Sequence, residues 1–119
     1  MRVSITLERL ATRIHRELAH IVNEVLGDNK SFGYINIVEV KLTKDLSYAT
    51  IYYTLLTEDK ELIDLAQNTL SKKVVEIRTD LAKKIKDIRK IPDLIFKYDE
   101  AIAYGNRIED IIRSFHKEK

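Results

Sequence analysis

The residues best able to do chemistry in this chain are its cations. Lys72, Lys73, Arg78, Lys83, Lys84, Lys86, Arg89 and Lys90 share one stretch with only Glu76, Asp80 and Asp87, giving it a local charge of +5. From Asp93 to Asp110 the balance reverses to −3, and the full 119 residues carry a formal +2. The charge is therefore sorted along the chain, and sorting is what makes a patch. Lys83, Lys86 and Lys90 stand at i, i+3 and i+7, so on a helix they would form a row able to follow a phosphate backbone. The same run also reads as a solvated helix end, with Lys86, Arg89 and Lys90 complementing the dipole. Pattern alone leaves both readings open.

Other chemistries find little support. His15 and His20 are five residues apart and diverge around a helix, and His116 lies far along the chain, so no metal ligand set converges. The only glycines are Gly27, Gly33 and Gly105, which make no phosphate loop. No Ser-His-Asp order or nucleophile elbow is present, and the acidic pairs Asp99/Glu100 and Glu109/Asp110 read as caps and solvated charges. No catalytic residue, cofactor, metal or small-molecule substrate is expected. The absence of cysteine rules out disulfides and fits a reducing compartment. Arg9, Arg13, His15 and Arg16 interrupt every apolar run near the start, so the expectation is a soluble cytoplasmic protein with no membrane partner.

The elements that would position these cations can be read from hydrophobic spacing. At 119 residues one domain is expected, spanning 1–119. Leu7, Leu10, Ala11, Ile14, Leu18, Ile21, Val22 and Val25 recur at helical spacing, with Arg9, Thr12, Arg13 and Arg16 opposite and Gly27 as C-cap. YINIVEVKL, from Tyr34 to Leu42, reads as a strand whose apolar parity slips near Ile37, which predicts a bulge. After Thr43–Leu46, SYATIYYTLL alternates Ala49, Ile51, Tyr53 and Leu55 against Tyr48, Thr50, Tyr52 and Thr54.

A second helix is expected from an N-cap at Thr57, with one apolar stripe from Leu62 to Ile88. Some thirty residues is long for a small domain, so a kink is placed at Ser71-Lys72-Lys73. Pro92 ends the helix, DLIFKYD forms a third strand, and a short helix follows Tyr104-Gly105-Asn106 from Arg107 to about His116. The predicted fold is α+β, in the order α-β-β-α(kinked)-β with a short C-terminal helix and a three-stranded sheet packed on helices. A rival to polyanion binding is a protein-interaction or dimerisation module using the Tyr/Thr sheet face. Base stacking on the face shared by Tyr48 and Tyr52 is disfavoured, because the interleaving of basic and aromatic residues is missing there.

Two blocks carry a family resemblance. Thr43-Lys44-Asp45-Leu46-Ser47-Tyr48-Ala49 leads into a tyrosine-rich strand. Arg89, Pro92, Asp93, Leu94, Phe96, Tyr98 and Asp99 are followed by Gly105-Asn106-Arg107-Ile108. In this order and spacing the chain resembles the ribosome-binding factor A family. The resemblance implies a type II KH-like domain and a non-catalytic factor that binds the small (30S) ribosomal subunit late in its maturation. It further implies contact near the end of 16S rRNA, a part in rRNA processing, and an association with growth in the cold. Lys72-Lys73-Val74-Val75-Glu76 stands where the family usually has an Ala-x-Gly kink. With this context, Arg9, Arg13, Arg16 and the eight later cations become candidate RNA contacts, chosen by charge and not by a family motif. The free protein is expected to be a monomer. Asp45, Tyr48, Pro92, Gly105 and Asn106 read as architectural.

Overall fold

A computed structural model describes residues 2–27, 31–88 and 90–100. Its elements are α1 (Arg2–Leu26), β1 (Asn36–Leu42), β2 (Tyr48–Thr54), α2 (Lys60–Lys84) and β3 (Asp93–Tyr98). The fold is α+β, and its order fits the KH-like expectation. The expected C-terminal helix, with Gly105, Asn106 and His116, lies outside the described residues, as does Arg89.

The sheet is mixed, in the order β1-β2-β3, with β2 antiparallel to β1 and parallel to β3. A parallel pair cannot be joined by a tight turn, and α2 supplies the crossover. Both helices cover one sheet face: α1 packs on β1, α2 on β3, and the helices on each other. Ala49, Ile51 and Tyr53 are fully buried on that face, as the alternation predicts, with Leu94 and Phe96 beside them. Leu10, Ile14, Leu18, Ile21 and Val22 oppose them from α1, and Ala66, Leu70, Ile77 and Leu81 from α2. Each fully buried Leu or Ile contributes about 1.5–3 kcal/mol through surface removed from water.

The bulge is present. Ile37 pairs with Tyr53 and Glu39 with Tyr52, so Val38 is the extra residue that turns Val40 back to the core. His15 Nε2 lies 2.8 Å from Ile37 O, and since a carbonyl oxygen only accepts, the proton sits on Nε2. The strand begins at Asn36, two residues later than its β-branched run suggests.

Three expectations about α2 are corrected. Its N-cap is Asp59, which accepts from the Glu61 amide at 2.9 Å, while Thr57 Oγ1 accepts from the Asp59 amide one step earlier. The helix runs unbroken through Ser71-Lys72-Lys73, because Leu70, Val74, Ile77 and Leu81 keep one inward stripe across that point while the three polar residues stay exposed. It ends at Lys84 rather than just before Pro92: Ile85, at φ −122° and ψ 48°, leaves helical geometry and is itself fully buried.

A polar bridge locks α2 to the sheet. The Tyr53 hydroxyl donates to Gln67 Oε1, and Gln67 Nε2 donates to Phe96 O at 2.9 Å. Burial holds the Tyr53 phenol well above its ordinary range, so it stays a neutral donor. Tyr98 meets the Tyr53 ring edge-on at 5.8 Å.

Candidate nucleic-acid interface

The early end of α2 changes the geometry of the basic run. Lys83 and Lys84 occupy the last helical turn, whereas Lys86 and Lys90 lie on the connection to β3, so the helical row of Lys83, Lys86 and Lys90 does not exist. Dipole compensation falls to Lys83 and Lys84. Ile85 and Ile88 turn inward, the Ile88 amide donating to Ile85 O at 3.0 Å, and the cations between and around them stay outside.

Arg13 joins this turn to α1. Its Nη1 and Nη2 donate to the two carboxylate oxygens of Asp87 at 2.7 and 2.8 Å, and Nη2 also donates to Lys84 O at 3.3 Å. The bond to Lys84 O supplies a donor to a carbonyl that the finished helix cannot satisfy. The pairing lowers the Asp87 carboxyl below the ordinary carboxylate range, chiefly through the Arg13 hydrogen bonds, and raises Arg13 in return.

Arg9, Arg13 and Arg16 form one stripe of α1 and, with Glu8 and Thr12, line a shallow depression of about 420 Å³. Through Arg13, which contacts Lys84 O and Asp87, this stripe reaches the segment that carries Lys84 and Lys86. Two cationic segments some seventy positions apart thus become neighbours, through the |i−j| of 74 between Arg13 and Asp87.

The remaining candidates are placed differently. Arg78 donates from Nε to Pro92 O at 3.1 Å and from Nη2 to Ile91 O at 2.6 Å, and lies 3.6 Å from an Asp93 oxygen. It holds the approach to β3. Lys90 Nζ reaches Ser47 Oγ at 3.3 Å, tying the turn to the β1–β2 hairpin. Lys72 and Lys73 stand roughly 15 Å back along α2 from Lys83, at about 1.5 Å per residue, so the structure does not bring them to the turn. Lys73 lies 3.8 Å from Glu76, and Lys83, with its side chain 70% exposed, lies 3.9 Å from Asp80.

The hairpin turn carries its own constraint. Asp45 accepts from the Ser47 amide, Ser47 Oγ and Thr43 Oγ1 at 3.0, 2.8 and 2.9 Å, which holds Leu46 at φ 61°. These bonds, led by the Ser47 amide and aided by Lys90, pull the Asp45 carboxyl down to about 2.

The outer sheet face is open among the described residues. Tyr48 is half exposed, and Glu39, Tyr52 and Lys97 align across three strands. Lys41 Nζ sits 5.5 Å from the Tyr52 ring centroid. The expectation that this face lacks interleaved cations is corrected: Lys41 and Lys97 flank Tyr52 from the neighbouring strands, with Glu39 and Asp93 to balance them. Among the described residues no three His, Asp or Glu side chains gather as a metal site, and no helix is long and apolar enough to cross a membrane.

Comparison with known proteins agrees with the family resemblance. The family profile described as Ribosome-binding factor A matches residues 6–112. The ribosome-binding factor A of Phytoplasma mali is 46% identical over 115 residues, covering 97% of this chain and all of that protein. That of Staphylococcus epidermidis is 40% identical over 114 residues, covering 96% of each. The crystal structure of ribosome-binding factor A from Thermus thermophilus superposes with a TM-score of 0.65 at 25% identity, over 77% of this chain and 94% of that one. A homology model of the T. thermophilus factor, fitted into a cryo-EM map of its 30S complex, gives a TM-score of 0.62 at 24% identity, over 76% and 91%.

Proposed function

This chain belongs to the ribosome-binding factor A family, and from that premise we propose that it binds the small ribosomal subunit through the cationic surface of α1 and the turn after α2. It meets 16S rRNA there, acts as a monomer without catalysing a reaction, and assists late maturation and processing of that RNA in the cytoplasm, with greatest demand in the cold. Arg9, Arg16, Lys83, Lys84 and Lys86 are the candidate phosphate contacts. Lys72 and Lys73 form a separate pair farther along α2.

The observation that carries this reading is the Arg13–Asp87 contact, which sets the cationic stripe of α1 beside the lysines of the turn. A cationic surface of this kind suits a phosphate backbone, whose affinity is dominated by charge and falls steeply with salt. The T. thermophilus relative placed in a 30S complex supports the choice of partner.

Cosedimentation of the purified protein with separated small and large subunits across a salt series tests the reading. Salt-sensitive binding to the small subunit is expected. Salt-insensitive self-association without subunit binding would instead favour the rival interface on the Tyr48/Tyr52 face.

A further inference from the structure

We infer that Arg13 and Asp87 are positioning residues, a clamp that presents Lys84 and Lys86 to the polyanion rather than contacts to it; this rests on the small-subunit reading above. Asp87 sits within a run of cations, and an unpaired carboxylate there would draw Lys83, Lys84 or Lys90 onto itself. Arg13 instead occupies both of its oxygens, at 2.7 and 2.8 Å, and adds a bond to Lys84 O. A planar fork that meets both oxygens fixes direction as well as distance, which a lysine cannot do.

The turn is held at two further points. Arg78 grips the carbonyls of Ile91 and Pro92, and Lys90 reaches Ser47. Of the cations in and around this segment, Arg13, Arg78 and Lys90 are engaged in holding it. Lys84 and Lys86 are exposed and have no ion-pair partner among the described residues. Fixing the turn before binding removes an ordering cost that would otherwise weaken association.

The clamp predicts an effect opposite in sign to simple electrostatics. Asp87→Asn removes a negative charge beside a polyanion site, which by charge alone should tighten binding. As part of a clamp, its loss should weaken binding to small subunits, roughly three- to tenfold. Arg13→Lys keeps the charge but loses the fork and should weaken binding by a similar factor, and Arg13→Gln/Asp87→Asn should be no worse than Arg13→Gln alone.

Amide exchange of the free protein supplies a measurement independent of the subunit. In Asp87→Asn the Ile88 amide, bonded to Ile85 O at 3.0 Å, should exchange at least about tenfold faster while Ile51 in the core stays protected. Unchanged exchange at Ile88, or Asp87→Asn binding as tightly as wild type or tighter, would overturn the clamp. Wild-type protein that fails to bind subunits would overturn the small-subunit reading instead, leaving the exchange result to decide whether the clamp orders the turn.

Discussion

Asn23 and Ile35 pair reciprocally: Asn23 Nδ2 donates to Ile35 O at 3.0 Å, and the Ile35 amide donates to Asn23 Oδ1 at 3.0 Å. A helix side chain thus takes the place of a neighbouring strand just before β1 begins. It fixes the approach to the strand that His15 then holds at the bulge. Asn23→Ala should cost about 1–3 kcal/mol, because the partly buried Ile35 groups lose both partners. Asn23→Asp should do no better, since a carboxylate would face a carbonyl oxygen. Urea denaturation measures this, and a change within about 0.5 kcal/mol, the usual range for a surface site, would contradict it.

The continuity of α2 predicts a sharp response to proline. Ser71 is exposed, so Ser71→Pro loses no core packing but removes a helical hydrogen bond and clashes with the preceding turn. The cost should be about 3 kcal/mol or more, whereas Ser71→Ala should stabilise by a few tenths, about 0.5 kcal/mol at most. Thermal unfolding of the two variants decides the point. A proline variant within about 1 kcal/mol of wild type would reveal a hinge in place of a continuous helix.

The expected kink at Ser71 separates what is legible in the sequence from what is not. The strands, their inward residues and a bulge near Ile37 can all be read, because period-two burial leaves a direct trace and a slip reverses it. Ser71-Lys72-Lys73 misleads because polarity resembles a break. Polar residues on three successive positions fit the outer face of a helix whose inward stripe continues through Leu70 and Val74. The helix end is hidden for a different reason. No glycine or proline marks Lys84, and the stop comes from Ile85 turning inward and from Arg13 holding the turn. Long-range pairs such as Arg13 with Asp87, or Arg78 with the Ile91 and Pro92 carbonyls, leave no spacing signal. The sequence nominates cations but does not divide them into those that hold the fold and those left exposed.

Asp45 makes the hairpin turn sensitive to acid. Its carboxyl sits at about 2 against an ordinary 3.8, mainly through the Ser47 amide. The ionised form is therefore favoured by folding, and this contribution is complete above about pH 4 and lost as the pH falls through about 2. Wild type and Asp45→Asn should converge in stability across that window. A carboxyl carbon titration by NMR checks the cause: a midpoint near 2 is expected, and one near 3.8 would contradict it.

The turn after α2, together with α1, is the surface proposed to meet the polyanion. Its most direct test is the salt dependence of small-subunit binding by wild type and by Lys83→Gln/Lys84→Gln/Lys86→Gln. The three side chains point to solvent, so the variant should keep its fold. Affinity at least about tenfold weaker is expected, with a log–log salt slope reduced by about 0.7–0.9 for each phosphate that is no longer neutralised. Affinity and slope both equal to wild type would contradict it.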